Sequence, residues 1–230
     1  DALQQIGKEL GIKVEFSGDS KSKDFFSELY SLHTFAAELY HKTLFSNQAI
    51  KAKEYLTSRG LSKESLKLFK VGFAPKNSSF LLDTIKSKKV SDEIIQKSGL
   101  FGRSNSKFYD RFRSRIMFPI SNTSGKIIAF GGRVFDSDDP AKYMNSPETP
   151  LYRKSEVFYG LNITRKYIRE ENNAIIVEGY TDLIQLFQSG IKNVIAVSGT
   201  AFTNRHVNQI RRLTSKVYLC YDGDTAGVNA

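Results

Sequence analysis

Three short apolar runs, separated by helical patterns, constrain this chain more than any other feature. Ala174-Ile175-Ile176-Val177 ends on Glu178-Gly179, and Val194-Ile195-Ala196-Val197 ends on Ser198-Gly199-Thr200. Val217-Tyr218-Leu219-Cys220-Tyr221 ends on Asp222-Gly223-Asp224. Between them, Leu183, Leu186 and Phe187, and then Val207, Ile210 and Leu213, fall at helical spacing. Short apolar strands alternating with amphipathic helices predict a parallel βαβαβ unit with a strand buried on both faces.

That topology predicts where chemistry would gather. In an open α/β sheet, ligands bind outside the carboxyl ends of the strands. Glu178, Asp222 and Asp224 all fall at such ends, each beside a glycine that lets the backbone turn. Converging carboxylates repel one another and need a cation. Hard oxygen ligands suit Mg²⁺ or Mn²⁺, which in turn bind phosphate oxygens. A single acid at a strand end can simply cap the next helix. Glu-Gly and Asp-Gly-Asp at equivalent strand ends fit a catalytic set better.

Composition adds a second constraint. The 230 residues carry a net charge of +10. Residues 172–230 hold five basic and four acidic side chains, so almost all the excess lies before them. A basic part joined to a carboxylate-bearing part suggests polyanion binding beside metal chemistry, with ordinary solubilising charge as the alternative. One Cys excludes an intrachain disulfide, and Cys220, inside an apolar run, is expected to be an inert core thiol. Three His and one Cys make a zinc site within the chain improbable. No run of apolar residues is long enough to span a membrane. Without an initial Met or a signal pattern, the chain reads as a piece of a larger cytoplasmic protein.

Residues 1–27 read as an N-terminal extension. A short helix is expected over Leu3–Leu10, then a linker over Gly18–Lys23, with Asp24 a candidate N-cap. Phe25, Leu29, Leu32, Phe35, Ala36 and Leu39 make a core-facing helical stripe. His33 and His41 are expected to face solvent or make local bonds. Arg59, before Gly60, is either a charge favoured at a helix C-terminus or a nucleic-acid contact. Caps at Ser78 or Ser79 and at Ser91 start two further short helices.

The main basic signal lies at 103–135. Arg111, Arg113 and Arg115 alternate with Phe112, Ser114 and Ile116. In a strand, all three arginines would share one face about 7 Å apart, roughly the phosphate spacing of a single strand. Phe108 and Tyr109 could stack on bases. The alternative is an exposed sheet face with salt bridges. Ile116–Ile120 and Lys126–Phe135 read as a hairpin ending on Gly131-Gly132-Arg133. There the backbone could approach a ligand and an arginine could reach a phosphate. In Lys142-Tyr-Met-Asn145, followed by Ser-Pro-Glu-Thr149, Lys142 offers a phosphate donor, Tyr143 a stacking face and Asn145 an amide, although Asn-Ser-Pro-Glu alone is a turn and helix start.

Glu178-Gly-Tyr-Thr-Asp182 and Asp222-Gly-Asp-Thr-Ala-Gly227 resemble the two acidic motifs of a Toprim domain. Tyr55-Leu-x-x-Arg59-Gly-Leu-Ser62, Asp110-Arg-Phe-Arg113, Ile116-Met-Phe-Pro-Ile120, Ile128-Ala-Phe-Gly-Gly-Arg133, the Lys142–Thr149 octamer and Phe158-Tyr-Gly-Leu161 are similar to the catalytic core of DnaG-type bacterial primases. The likeness covers about residues 24–230 and implies an α/β fold. A basic α+β subdomain over 28–171 would precede the first part of a Rossmann-like Toprim domain with a parallel sheet over 172–230. A later acidic motif of the family, its zinc-binding module and its helicase-binding module would fall outside this sequence, so the fragment alone is expected to be inactive.

The resemblance also implies the chemistry. A ribonucleotide 3′-hydroxyl attacks the α-phosphate of an incoming nucleoside triphosphate on a single-stranded DNA template, building an RNA primer paired to DNA at the replication fork. Glu178, Asp222 and Asp224 would hold Mg²⁺ or Mn²⁺. Arg111, Arg113, Arg133, Lys142, Tyr143, Asn145 and Lys154 would bind nucleotide and template. Thr200 would approach phosphate or start a helix, and Asp182 would orient a ligand indirectly or cap a helix. The replicative helicase would be a partner. Two alternatives stay open: a Toprim nuclease or topoisomerase-like enzyme, although no tyrosine has a recognisable cleavage context, and a non-catalytic single-strand-binding module.

Overall fold

The structure is a computed structural model that describes residues 20–136, 141–197 and 202–221. The helix expected over Leu3–Leu10, the Ser198–Thr200 turn, and Asp222 and Asp224 lie outside the described residues.

Helix α1 (Ser20–Leu44) lays its apolar stripe along a sheet, burying Leu29, Leu32, Ala36 and Tyr40. The packed stripe carries the helix back through Lys21–Lys23, which therefore form no linker, and leaves Asp24 inside the helix rather than at its cap. His33 is fully buried, its Nδ1 2.8 Å from the Leu29 carbonyl, and burial lowers its pKa. His41 lies 2.6 Å through Nδ1 from the Val71 carbonyl. His33 thus makes a local bond without facing solvent, and His41 pins the end of α1 to the chain leaving the next helices.

Those helices are α2 (Ile50–Ser58) and α3 (Lys63–Leu68), the latter capped by the Ser62 hydroxyl. They lead into β1 (Gly72–Ala74). Helices α4 (Phe80–Lys86) and α5 (Asp92–Lys97) follow. Ser91 caps α5 as expected, but Ser79 makes no cap bond to α4. The buried Asp110 carboxylate does so from 28 residues away, accepting the Leu81 N–H at 2.6 Å and the Leu82 N–H at 3.0 Å.

Strands β2 (Phe101–Ser104) and β3 (Lys107–Asp110) form a separate hairpin. Strands β4 (Arg115–Ser121), β5 (Ile127–Arg133) and β6 (Tyr143–Asn145) complete an antiparallel sheet of order β1-β4-β5-β6. Side-chain alternation along β4 serves two cores at once. Ile116, Phe118 and Ile120 join one cluster, while Met117 joins the cluster under α1.

Helix α6 (Leu161–Glu171) leads into β7 (Ala174–Val177), α7 (Tyr180–Gln188), β8 (Val194–Ala196), α8 (Asn204–Ile210) and β9 (Val217–Cys220). The sheet order is β8-β7-β9, with both pairings parallel, as the alternating pattern predicts. The central strand β7 buries Ala174, Ile176 and Val177, and β8 buries all three of its residues. Strand β9 pairs only with β7 among the described residues, and all four of its side chains are exposed. Cys220 is therefore an exposed thiol rather than the expected core one.

The two sheets share a core. Phe118 and Ile120 of β4 lie in one buried cluster with Tyr159, Val177, Tyr180, Leu183 and Phe187. Tyr159 also exchanges backbone hydrogen bonds with Ala196 of β8, at 2.9 and 3.2 Å. The junction between the basic and acidic parts is thus a packed interior that fixes the edge of the parallel sheet against β5 and β6.

Candidate functional site

Glu178 leaves the carboxyl end of β7 half-buried. Val177 pairs with Ala196 on one side and Cys220 on the other, so Glu178 emerges beside Tyr221. Burial, and then the charge of Glu178, push the Tyr221 phenol upward. Asp182 reaches back from the first turn of α7, its Oδ2 accepting the Gly179 N–H at 3.1 Å. That bond rigidifies the turn carrying Glu178. Of the three acids expected to bind metal, Glu178 lies among the described residues, and its half-buried carboxylate at a strand end suits a hard cation. Among those residues no group of three His, Cys, Asp or Glu side chains gathers.

Tyr180, two residues after Glu178, joins the two parts of the molecule. Its hydroxyl donates to Asn145 Oδ1 at 2.7 Å. Its ring stacks on Phe118 at 5.0 Å and meets Tyr159 edge-on at 4.7 Å. Gly131 leaves room for it: a Cβ there would sit 2.3 Å from the Tyr180 ring. A Cβ at Gly132 would meet Phe112 at 2.9 Å. The Gly131-Gly132 pair therefore admits the protein's own rings, where the sequence suggested close approach of a ligand.

Arg133 ends β5 opposite Tyr143 of β6. Its guanidinium carbon lies 5.3 Å from the centroid of the Tyr55 ring and 5.3 Å from that of Tyr143. The residue is 3% exposed, and its Nε is buried without a hydrogen-bond partner. No carboxylate pairs with it among the described residues. A buried cation held only by aromatic faces favours an anion. Partial burial, Asp182 and Tyr55 raise the Tyr143 phenol, against the lowering influence of Arg133 and Thr181.

Arg59, the C-cap of α2, belongs to the same group. Its Nε donates to the Tyr55 hydroxyl at 3.2 Å, and its guanidinium also feels Tyr143 and Asp182. Two glutamines of α7 fix its backbone. Gln185 Nε2 donates to the Arg59 carbonyl and Gln188 Nε2 to the Gly60 carbonyl, both at 2.6 Å, satisfying acceptors left open where α2 ends.

The structure brings together Arg59, Arg133, Tyr143, Asn145 and Asp182 beside the turn that carries Glu178. Lys142 is exposed at the start of β6, its carbonyl accepting the Val134 N–H. Lys154 is half-buried in a 3-10 turn spanning Lys154–Glu156, and Glu148 accepts its backbone N–H at 2.8 Å. That turn is moored to α8 by the Thr203–Ser155 bond, the Gln209–Glu156 bond and the Arg205–Glu156 ion pair.

The three-arginine strand face does not form. Strand β3 stops at Asp110, and β4 starts at Arg115. Ser114 between them has φ 50°, a left-handed turn that breaks the alternation. Arg115 is 2% exposed and donates through Nη1 to the Ala141 carbonyl at 2.8 Å. Arg113 is exposed and lies over the Tyr109 ring, while Arg111 is half-buried with an unpartnered Nε. Conversely, Tyr55 and Tyr180 have no assigned role in the sequence reading. The Tyr55/Arg59 spacing of four on a helix was the available signal for the first.

Residues 39–165 match the family described as DNA primase catalytic core, N-terminal domain, and residues 172–230 match the Toprim domain. The DNA primase of Enterococcus faecalis is 43% identical over 209 residues, covering 88% of this chain and 33% of the relative. That of Pseudomonas putida is 43% identical over 236 residues, covering 100% of this chain and 36% of the relative. The chain thus spans about a third of the length of these curated relatives. Among solved structures, the RNA polymerase domain of Mycobacterium tuberculosis primase DnaG superposes with TM-score 0.82 at 34% identity, over 87% of this chain and 68% of that one. A DnaG primase catalytic domain bound to ssDNA superposes with TM-score 0.81 at 38% identity, over 90% and 65%.

Proposed function

The chain belongs to the DnaG-type bacterial primase family, as catalytic-core N-terminal domain followed by Toprim domain, and from that premise we propose that it serves RNA primer synthesis on single-stranded DNA. The observation that carries this reading is Arg133: a 3% exposed guanidinium without an anion among the described residues, between two tyrosine rings, beside the Glu178 turn. Such a site suits a phosphate group of a nucleotide or template strand.

In the proposed reaction the 3′-hydroxyl oxygen of the primer bonds to the α-phosphorus of the incoming triphosphate. The bond from the α-phosphorus to the bridging oxygen breaks, pyrophosphate leaves with that oxygen, and the hydroxyl proton passes to water. Glu178, Asp222 and Asp224 would hold a Mg²⁺ or Mn²⁺ ion, which would supply charge neutralisation at phosphate and a more acidic attacking hydroxyl. The protein's own side chains do the placing. Arg133 and Arg59 bind phosphate oxygens, with Lys142 and Lys154 as flanking cations. Tyr143, 44% exposed, offers a ring for stacking. Asn145, fixed by Tyr180, orients the nucleotide. Arg111 and Arg113 contact the template away from the chemistry, and Thr200 is retained as a phosphate-side candidate. Asp182 acts through the Gly179 turn.

Residues 28–171 and 172–230 are the proposed division into basic and Toprim parts. The wider setting is proposed from the family: template, nucleoside triphosphates, the growing RNA–DNA hybrid and the replicative helicase as partners, in the cytoplasm at the fork. No helix of the described residues is long and apolar enough to cross a membrane. The fragment alone is expected to be inactive.

Single-stranded DNA, labelled ribonucleotides and Mg²⁺, given to the complete gene product, test the reading. New template-dependent RNA supports it. Shortened DNA would instead indicate a nuclease, and salt-sensitive binding indifferent to EDTA would indicate a binding module.

A further inference from the structure

We propose that Tyr55 is a positioning residue that sets Arg59 and Arg133 relative to one another, so that the pair receives phosphate. The proposal rests on the primase reading above. One ring serves both cations. Arg133 lies 5.3 Å and Arg59 5.8 Å from the Tyr55 centroid, and the Tyr55 hydroxyl accepts the Arg59 Nε–H at 3.2 Å. Two guanidiniums brought together repel, and no acid in the described residues pairs with Arg133 to offset this. The ring face answers one cation and the hydroxyl oxygen the other.

The plate itself is anchored. Tyr55 leans on Phe135 at 5.7 Å, and Phe135 meets Phe73 of β1 at 6.0 Å. Its helix is held from the Toprim side through Gln185 and Gln188. Tyr143 gives Arg133 a second aromatic contact, its centroid 5.3 Å from the guanidinium carbon. A planar fork restrained in this way loses little freedom on binding phosphate. Tyr55 therefore touches neither substrate nor metal in this account; it acts through the arginines.

The test uses the complete primase with Tyr55→Phe and Tyr55→Leu. Templated incorporation gives KM for ribonucleotide and kcat, fluorescence anisotropy gives template Kd, and thermal unfolding reports folding. Tyr55→Leu, losing both contacts, is expected to raise KM or Kd ~10-fold, the equivalent of one charged contact's worth of free energy. Its kcat is expected to stay within roughly threefold, as for uniform binding. The parameter that rises tells whether the phosphate belongs to nucleotide or to template. Tyr55→Phe keeps the plate under Arg133 and should rise only about threefold, the smaller share left when one hydrogen bond is lost. Unchanged KM and Kd in either folded variant would overturn the proposal, as would equal losses in both that follow a lowered Tm. If Tyr55→Leu does not fold, Tyr55→Phe alone decides. Were the wild type to make no RNA, the primase reading would fall, while the template arm would still judge Tyr55.

Discussion

The Tyr180 hydroxyl donates a 2.7 Å hydrogen bond to Asn145 Oδ1, tying the residue two places after Glu178 to the last position of β6. The acid-bearing turn and β6 are thereby held in one frame. Tyr180→Phe keeps the ring in its Phe118 and Tyr159 contacts but removes the hydrogen bond to Asn145. We expect about 1–2 kcal/mol lost in urea denaturation and a higher KM for ribonucleotide with little change in kcat. Tyr180→Ala, which also empties a buried ring site, should cost about 3–5 kcal/mol.

Gly131→Ala should be as damaging as a far larger change. The new methyl would fall 2.3 Å from the Tyr180 ring, which Phe118 and Tyr159 hold from other sides. Overpacking of this kind costs about 1–3 kcal/mol or more. Lowered stability together with lost primer synthesis is the expected outcome, and an unaltered Tm would show that the junction is looser than described.

Asp110 gives the fold a pH signature. Burial pushes its pKa up to about 6, more than the two helix N–H donors lower it. With the folded value above the unfolded one, the native state binds the extra proton between about pH 4 and 6. Stability should therefore fall as pH rises through that window and level off above it, by at most about 3 kcal/mol. Denaturant titrations of wild type and Asp110→Asn across pH 4–7 check this. The variant should lack that part of the slope.

Much of the parallel unit was legible because its signals are local. β7, β8 and β9 are continuous apolar runs, and helical spacing between them is enough to predict parallel pairing. Other features were not local. The arginine alternation at 111–115 holds only if one strand is unbroken, and Ser114 at φ 50° breaks it. Asp110, read as part of a basic motif, instead caps α4 across 28 residues. The Gly131-Gly132 pair signals a close approach, but only the packing reveals that Tyr180 and Phe112 make it. Cys220 sits in an apolar run that predicts burial, whereas sheet order puts it on a strand paired on one side among the described residues.

Arg113 and Arg133 should fail differently. Arg113 is exposed over Tyr109, so Arg113→Ala should weaken single-stranded DNA binding uniformly and reduce the slope of log affinity against log salt by roughly 0.7. Arg133→Ala removes the buried cation proposed to bind phosphate, and should cost ~10-fold or more in KM or Kd with weaker dependence on salt. Binding isotherms at two or three salt concentrations separate the two.

The most direct test of the central claim is Glu178→Gln in the complete protein, measured side by side for templated ribonucleotide incorporation and for single-stranded DNA affinity. The account predicts incorporation reduced ~10²-fold or more, since a metal-held charge contributes several kcal/mol at the transition state, with template affinity within about twofold because the arginines are untouched. Primer synthesis at the wild-type rate would contradict it.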